Sequence, residues 1–297
     1  MTAAFPLEKV SLSSGISLDV AVAGTPGAPP IILLHGFPES HRTWRHQIAQ
    51  LAQDHFVLAP DQRGYGGSDK PSGVEQYTPQ LLIADIMALA DAFGIDRFTL
   101  VGHDWGGAIA WGAAITRPDR VERLIILNAP HPLIFQRSLF DDPEQRAASQ
   151  YMRAFRSTGA DQRIAEVGLA QYLAETIGGL VRNSALTPDD LAHYQDYWSR
   201  PGAPAAMLNW YRASPMIVPA IDEICERPAM LDAAFPKLKM PVLVIWGLKD
   251  VALKPCQIEG LDDLIDDITL IPVDAGHFTP WEAPEAVNAA MRTWLAG

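Results

Sequence analysis

The chain is poor in cysteine, carries no run of positive charge, and has no apolar stretch long enough to cross a bilayer. It has 297 residues and two cysteines, Cys225 and Cys256. That is too few for a disulfide framework, and the spacing is not that of a metal site. Two free thiols in a reducing compartment is the reading. Lys and Arg number 23 against 35 Asp and Glu, for a net charge of −12. Nucleic acid and anionic membrane surfaces need clustered cations, so neither is expected as a partner. A membrane span needs about 20 consecutive apolar residues, and none occurs, so no membrane insertion is expected. The segment 1–9 has no positive start and no apolar core, so it does not read as a secretory leader. A cytoplasmic protein is the expectation. What remains is ordinary globular composition, 48% hydrophobic and 20% charged, enough for one large domain or a core with an insertion. Nothing in it settles an oligomeric state, and a homo-oligomer stays open.

Short apolar runs alternate with helical patterns. Residues 31–34, 56–59, 98–101, 124–127 and 242–245 read as buried strands, and 79–93 and 106–117 as helices. Continuous apolar runs of this length suit parallel strands covered on both faces. The rhythm predicts an α/β fold, a mostly parallel sheet flanked by helices. It breaks between about 130 and 236, a region rich in helix formers, Tyr, Gln and Arg. The expectation is a core of 1–130 and 237–297 with a helical cap inserted at 131–236. Functional residues in such a sheet sit at the carboxyl ends of strands. His35-Gly36, Asp61, Asp104, Asn128 and Asp250 all follow apolar runs.

The segment Gly102-His103-Asp104-Trp105-Gly106 has the outline of a nucleophile elbow, the strand-to-helix turn written G-x-S-x-G. Asp104 stands where the serine would be. A carboxylate there suits attack on an sp3 carbon, giving an alkyl-enzyme ester. The substrate then needs a leaving group on carbon, a strained epoxide oxygen or a halide. An ester on Asp104 persists until water is activated. His277, in the loop 274–278, is the candidate base, and Asp250, in the loop 246–250, the acid that orients it. Nucleophile, acid, histidine is the chain order of α/β-hydrolases. Asn128 follows a strand but, as an amide, cannot serve as the charge partner. His35-Gly36-Phe37-Pro38 follows the first apolar run, with an X-Pro bond of the kind that admits a cis peptide. The backbone N–H groups of Phe37 and Trp105 are the candidate oxyanion hole.

These segments, with Asp61-Gln62-Arg63-Gly64-Tyr65-Gly66 and Leu208-Asn209-Trp210-Tyr211-Arg212, run almost from end to end. Together they resemble the α/β-hydrolase-fold epoxide hydrolases of the soluble epoxide hydrolase type. Opening an epoxide makes an alkoxide, which needs a donor facing the nucleophile. The resemblance implies two cap tyrosines for this. Tyr211 matches one directly. Tyr151, in Tyr-x-x-x-Phe early in the cap, matches the other, though Met152 stands where the family often has Gln. Phe37, Trp105, Trp210 and Phe278 are expected to line the substrate pocket. No metal or organic cofactor is implied, and the partner is a small epoxide.

Two alternatives stay open. Haloalkane dehalogenases resemble this core but typically carry Asn where this chain has Phe37. Haloacetate dehalogenases place Arg directly after the nucleophile, where this chain has Trp105-Gly106-Gly107-Ala108. A substrate carboxylate would enter the pocket without a cation, at a large desolvation cost. Trp198 or Trp210 is placed to pair with Trp105 around a halide. A ligand-binding protein without turnover is the alternative outside enzymes, and a triad that activates water argues against it.

Overall fold

The computed structural model of the chain describes residues 5–176 and 186–297. Residues 1–4, from the segment read for a leader, and 177–185, from the expected cap, lie outside the described residues. Eight strands form one sheet: β1 (Leu7–Ser11), β2 (Ser17–Ala23), β3 (Pro30–Leu34), β4 (Phe56–Pro60), β5 (Phe98–His103), β6 (Val121–Leu127), β7 (Val242–Gly247) and β8 (Ile268–Val273). Their order is β1-β2-β4-β3-β5-β6-β7-β8. The first two strands are antiparallel additions, and the other pairings are parallel. The five apolar runs fall on β3 to β7, all in the middle of the sheet. Ile31 to Leu34 are fully buried, as strands covered on both faces must be.

Three strands carry no continuous apolar run. Strand β1 is an exposed edge rich in polar residues. Strand β2 alternates, with Leu18 and Val20 inward. Strand β8 is the other edge and contains Pro272, which edge strands tolerate because one side needs no ladder bond.

Helices cover both faces: α1 (Arg45–Leu51), α2 (Pro79–Ala92) and α3 (Asp104–Thr116) from the first half of the chain, and α11 (Thr279–Glu282) and α12 (Pro284–Leu295) from the end. Between β6 and β7, the described residues hold seven more: α4 (Pro132–Asp141), α5 (Pro143–Ala148), α6 (Gln150–Arg156), α7 (Thr158–Val167), α8 (Leu169–Thr176), α9 (Pro188–Ser199) and α10 (Ala203–Ala213). Helix α9 has a full capping box, Thr187 with Asp190. Asp190 also binds Arg42 and Arg45, so the inserted helices are tied to the loop after β3 and the start of α1. None of the described helices is long and apolar enough to cross a membrane.

One buried ion pair holds the loop after β4 to α2. Arg63 grips Asp85 with Nε and Nη2, each 2.7 Å from a carboxylate oxygen, and Nη1 reaches the Gln76 carbonyl. Removing one partner strands the other charge in the interior, which costs about 3–5 kcal/mol. Asp85→Asn should therefore lose stability of that order in a denaturant titration. A loss below about 1 kcal/mol would show that the loop is held by other contacts.

Candidate active site

The first group is built by a turn that tolerates almost no side chains. A Cβ at Gly106 would lie 2.2 Å from the Leu34 carbonyl oxygen, and one at Gly36 would lie 2.5 Å from the Asp104 Cβ. Both glycines are required by close approach. Asp104 has φ +50°, a left-handed conformation that costs a non-glycine residue of order 1–3 kcal/mol. That strain puts the carboxylate at the head of α3, at the carboxyl end of β5. Its Oδ1 accepts from the Phe37 N–H at 2.7 Å, and the Phe37–Pro38 peptide is cis. Trp105, next in chain, has its N–H in the first turn of α3, where no intrahelical partner exists.

The second group comes from two loops far along the chain. His277 Nδ1 lies 2.7 Å from Asp250 Oδ2, and its Nε2 lies 3.4 Å from Asp104 Oδ2. The structure brings Asp104, Asp250 and His277 together. Asp250 is saturated as an acceptor. Its Oδ1 takes the N–H groups of Ala252 and Leu253, and its Oδ2 also takes Asn128 Nδ2 at 2.9 Å. Burial acts to lower the His277 pKa, but the charge of Asp250 and the bonds to Asp104 and Asp250 outweigh it and raise it well above the ordinary value. Burial acts to raise Asp104, and the hydrogen bond and charge of His277, with His103 and the Phe37 N–H, hold it below the usual carboxylate range.

Three supporting residues were not assigned a positioning role from sequence. Asn128, also at positive φ (+39°), binds Asp250 with its amide nitrogen. Its oxygen accepts from the Gly247 N–H and the Thr279 hydroxyl. It thus ties the ends of β6 and β7 to the histidine loop. His103, next to Asp104 in the chain, bonds Glu39 on one side and donates to the His277 carbonyl on the other, each at 2.8 Å. Arg156 donates to the carbonyls of Tyr211 and Met216. The signal available for Asn128 was its strand-end place; for Arg156 there was none, since its partners are 55 and 60 residues away.

Above Asp104 lies a cavity of about 230 Å³. Tyr151 and Tyr211 both line it, with Trp105 and Met152. Their rings are 6.1 Å apart, edge to face. Burial first, then nearby negative charge and, for Tyr211, the neighbouring Tyr151, push both phenols well above their ordinary value, so both hold their protons. Of the four residues expected in the pocket, Trp105 is in its wall. Phe37, Trp210 and Phe278 are not in the lining. Phe37 packs behind Tyr211 and Phe155. Trp210 packs edge to face against Tyr65 and gives its indole N–H to the Arg63 carbonyl. Phe278 packs against His277 and Trp281. The halide clamp expected of Trp198 or Trp210 also fails, because Trp198 donates to the Pro38 carbonyl at 2.7 Å, and neither indole has a free N–H for an anion.

Residues 29–284 match the family model described as alpha/beta hydrolase fold. A solved structure from hot-environment metagenomes, described as one of the novel epoxide hydrolases of the alpha/beta hydrolases superfamily, is 50% identical. It superposes with a TM-score of 0.93, covering 99% of this chain and 100% of the other. Epoxide hydrolase A of Mycobacterium tuberculosis is 33% identical, with 98% of each chain covered. The AB hydrolase superfamily protein YfhM of Bacillus subtilis is 36% identical over 95% of this chain and 96% of the other. The match at full length, on top of a tight strand-to-helix turn that carries Asp104, means that this chain belongs to the epoxide hydrolases of the α/β-hydrolase fold, hydrolases acting on ether bonds.

Proposed function

We propose that this epoxide hydrolase works through a covalent ester on Asp104. An Asp104 oxygen attacks one oxirane carbon, the carbon–oxygen bond opens, and the oxygen takes a proton from Tyr151 or Tyr211. His277, oriented by Asp250, then takes a proton from water, and the hydroxide attacks the ester carbonyl carbon. The N–H groups of Phe37 and Trp105 hold the oxyanion. The intermediate collapses, the departing alkoxide takes the proton from His277, and a vicinal diol leaves. The acid proton of the regenerated Asp104 replaces the one given by the phenol. Residues 131–236 act as the cap that carries the two phenols over the nucleophile.

The observation that carries this reading is the arrangement at Asp104. One carboxylate oxygen already meets the Phe37 N–H and the other faces His277, on the floor of a cavity with two protonated phenols in its wall. Among the described residues, Asp104 is the one charged group lining that cavity. This favours a neutral substrate over a haloacid, whose carboxylate would be desolvated without a partner.

The test is diol production from styrene-type and aliphatic epoxides, with fluoroacetate and a bromoalkane alongside for halide release. Tyr151→Phe with Tyr211→Phe should lower kcat/KM for diol by about 100- to 10,000-fold, the usual range for a general acid. An unchanged rate in the double variant would remove the tyrosines from the mechanism. Halide without diol would keep the nucleophile and replace the leaving group.

A further inference from the structure

Helix α3 is a core helix with one accessible stripe. Between Asp104 and Ala114, only Asp104, Trp105, Ala108 and Gly112 are not buried. Positions 104, 108 and 112 are spaced by four and share one face. All of these line the cavity. At 1.5 Å per residue, Gly112 lies about 12 Å along the helix from the nucleophile. Ala108 and Gly112 project at most one carbon, so they take little of the cavity they line. The rest of the lining is mostly apolar, with Pro79, Pro132, Phe135 and Met216, and Ser214 adds one hydroxyl. The phenols and the carboxylate belong to the Asp104 end.

We propose that the stretch over Ala108 and Gly112 is a subsite for an elongated, uncharged substituent of the epoxide, and that these two small residues set its reach. The proposal rests on the epoxide chemistry argued above. The oxirane sits under Tyr151 and Tyr211, and an apolar chain or aryl group extends along α3. A charged substituent finds no counter-ion there and is disfavoured by desolvation.

Straight-chain terminal epoxides from epoxybutane to epoxydecane test this, with diol as the readout. In the native protein kcat/KM should rise about fourfold per added methylene, the value of one buried CH2, until the chain reaches Gly112, and then level off. Gly112→Leu should cut the ratio of kcat/KM for the longest to the shortest substrate at least about tenfold, mainly through KM. A Cβ at Gly112 meets only the mobile end of Ile83, at 2.9 Å, so the neighbour can turn aside. Ala108→Val, one turn nearer the nucleophile, should move the break to shorter chains and keeps the test open if the first variant does not fold. A flat series in the native protein, or an unchanged long-to-short ratio in the folded variants, overturns the subsite. Absence of diol from every epoxide, epoxybutane included, instead overturns the underlying epoxide reading.

Discussion

Asp104→Asn should reduce diol formation by at least about 10,000-fold while the protein remains folded. The size follows from the role, because residues that act as a covalent unit cost about as much singly as together. The carboxylate is also where the oxygen bookkeeping is sharpest. In a single turnover in water enriched in heavy oxygen, the native protein should carry label into Asp104, because the proposed mechanism has water attack the ester carbonyl and not the substrate carbon. The first diol released should be unlabelled. Label in the first diol, with none in the Asp104 peptide, would mean direct attack by water and would end the covalent proposal. The amide should fold, since it keeps an oxygen to accept from the Phe37 N–H. It loses the negative charge that faces His277.

His277→Gln should separate the two halves of the reaction. In the proposed mechanism ester formation uses the Asp104 carboxylate and a phenol, so it should survive. Ester hydrolysis needs a base and should slow by about 100- to 10,000-fold. Intact-protein mass spectrometry should then find the chain heavier by one epoxide, and denaturation should not release it. Normal turnover in the variant would remove His277 as the base.

The pH dependence of the native protein follows from the same geometry. In the resting state, burial acts against the His277 proton but the two carboxylates retain it, so the pKa is raised. Esterification makes Asp104 neutral and removes one of those carboxylates. In the proposed mechanism the His277 pKa should then fall, so that the free base is present at the step that uses it. Ester hydrolysis should rise as pH increases through that pKa and then become flat. Asp104, held below the usual range, stays ionised in mild acid, so ester formation continues there. Alkyl-enzyme should therefore accumulate on the acid side in pre-steady-state quench experiments. Accumulation on the alkaline side would contradict the assignment.

How much could be read in advance differed by element. Strands β3 to β7 were legible because a strand buried on both faces needs an unbroken apolar run. Strands β1, β2 and β8 were not, because edge and half-covered strands alternate or carry charge and proline. The candidate pocket was legible at Trp105, whose place beside Asp104 follows from the chain. It was not legible at Phe37, Trp210 and Phe278. An aromatic side chain near a site can face it or back it, and only packing chooses. The same holds for the indole N–H groups of Trp198 and Trp210, which backbone carbonyls 160 and 147 residues away take up.

The sequence by itself determined the elbow with Asp104 at its tip, the order of acid and histidine after it, and the parallel core that puts strand ends on one side. These are local: a glycine pair around one residue, an apolar run, a turn. Tertiary structure alone decided that Asn128 braces Asp250, that Arg156 holds the Tyr211 and Met216 carbonyls, and that Ala108 and Gly112 face a cavity when their helix neighbours face the core. Each depends on which surfaces meet across long stretches of chain, and helical periodicity does not say which face of a wholly apolar helix remains uncovered.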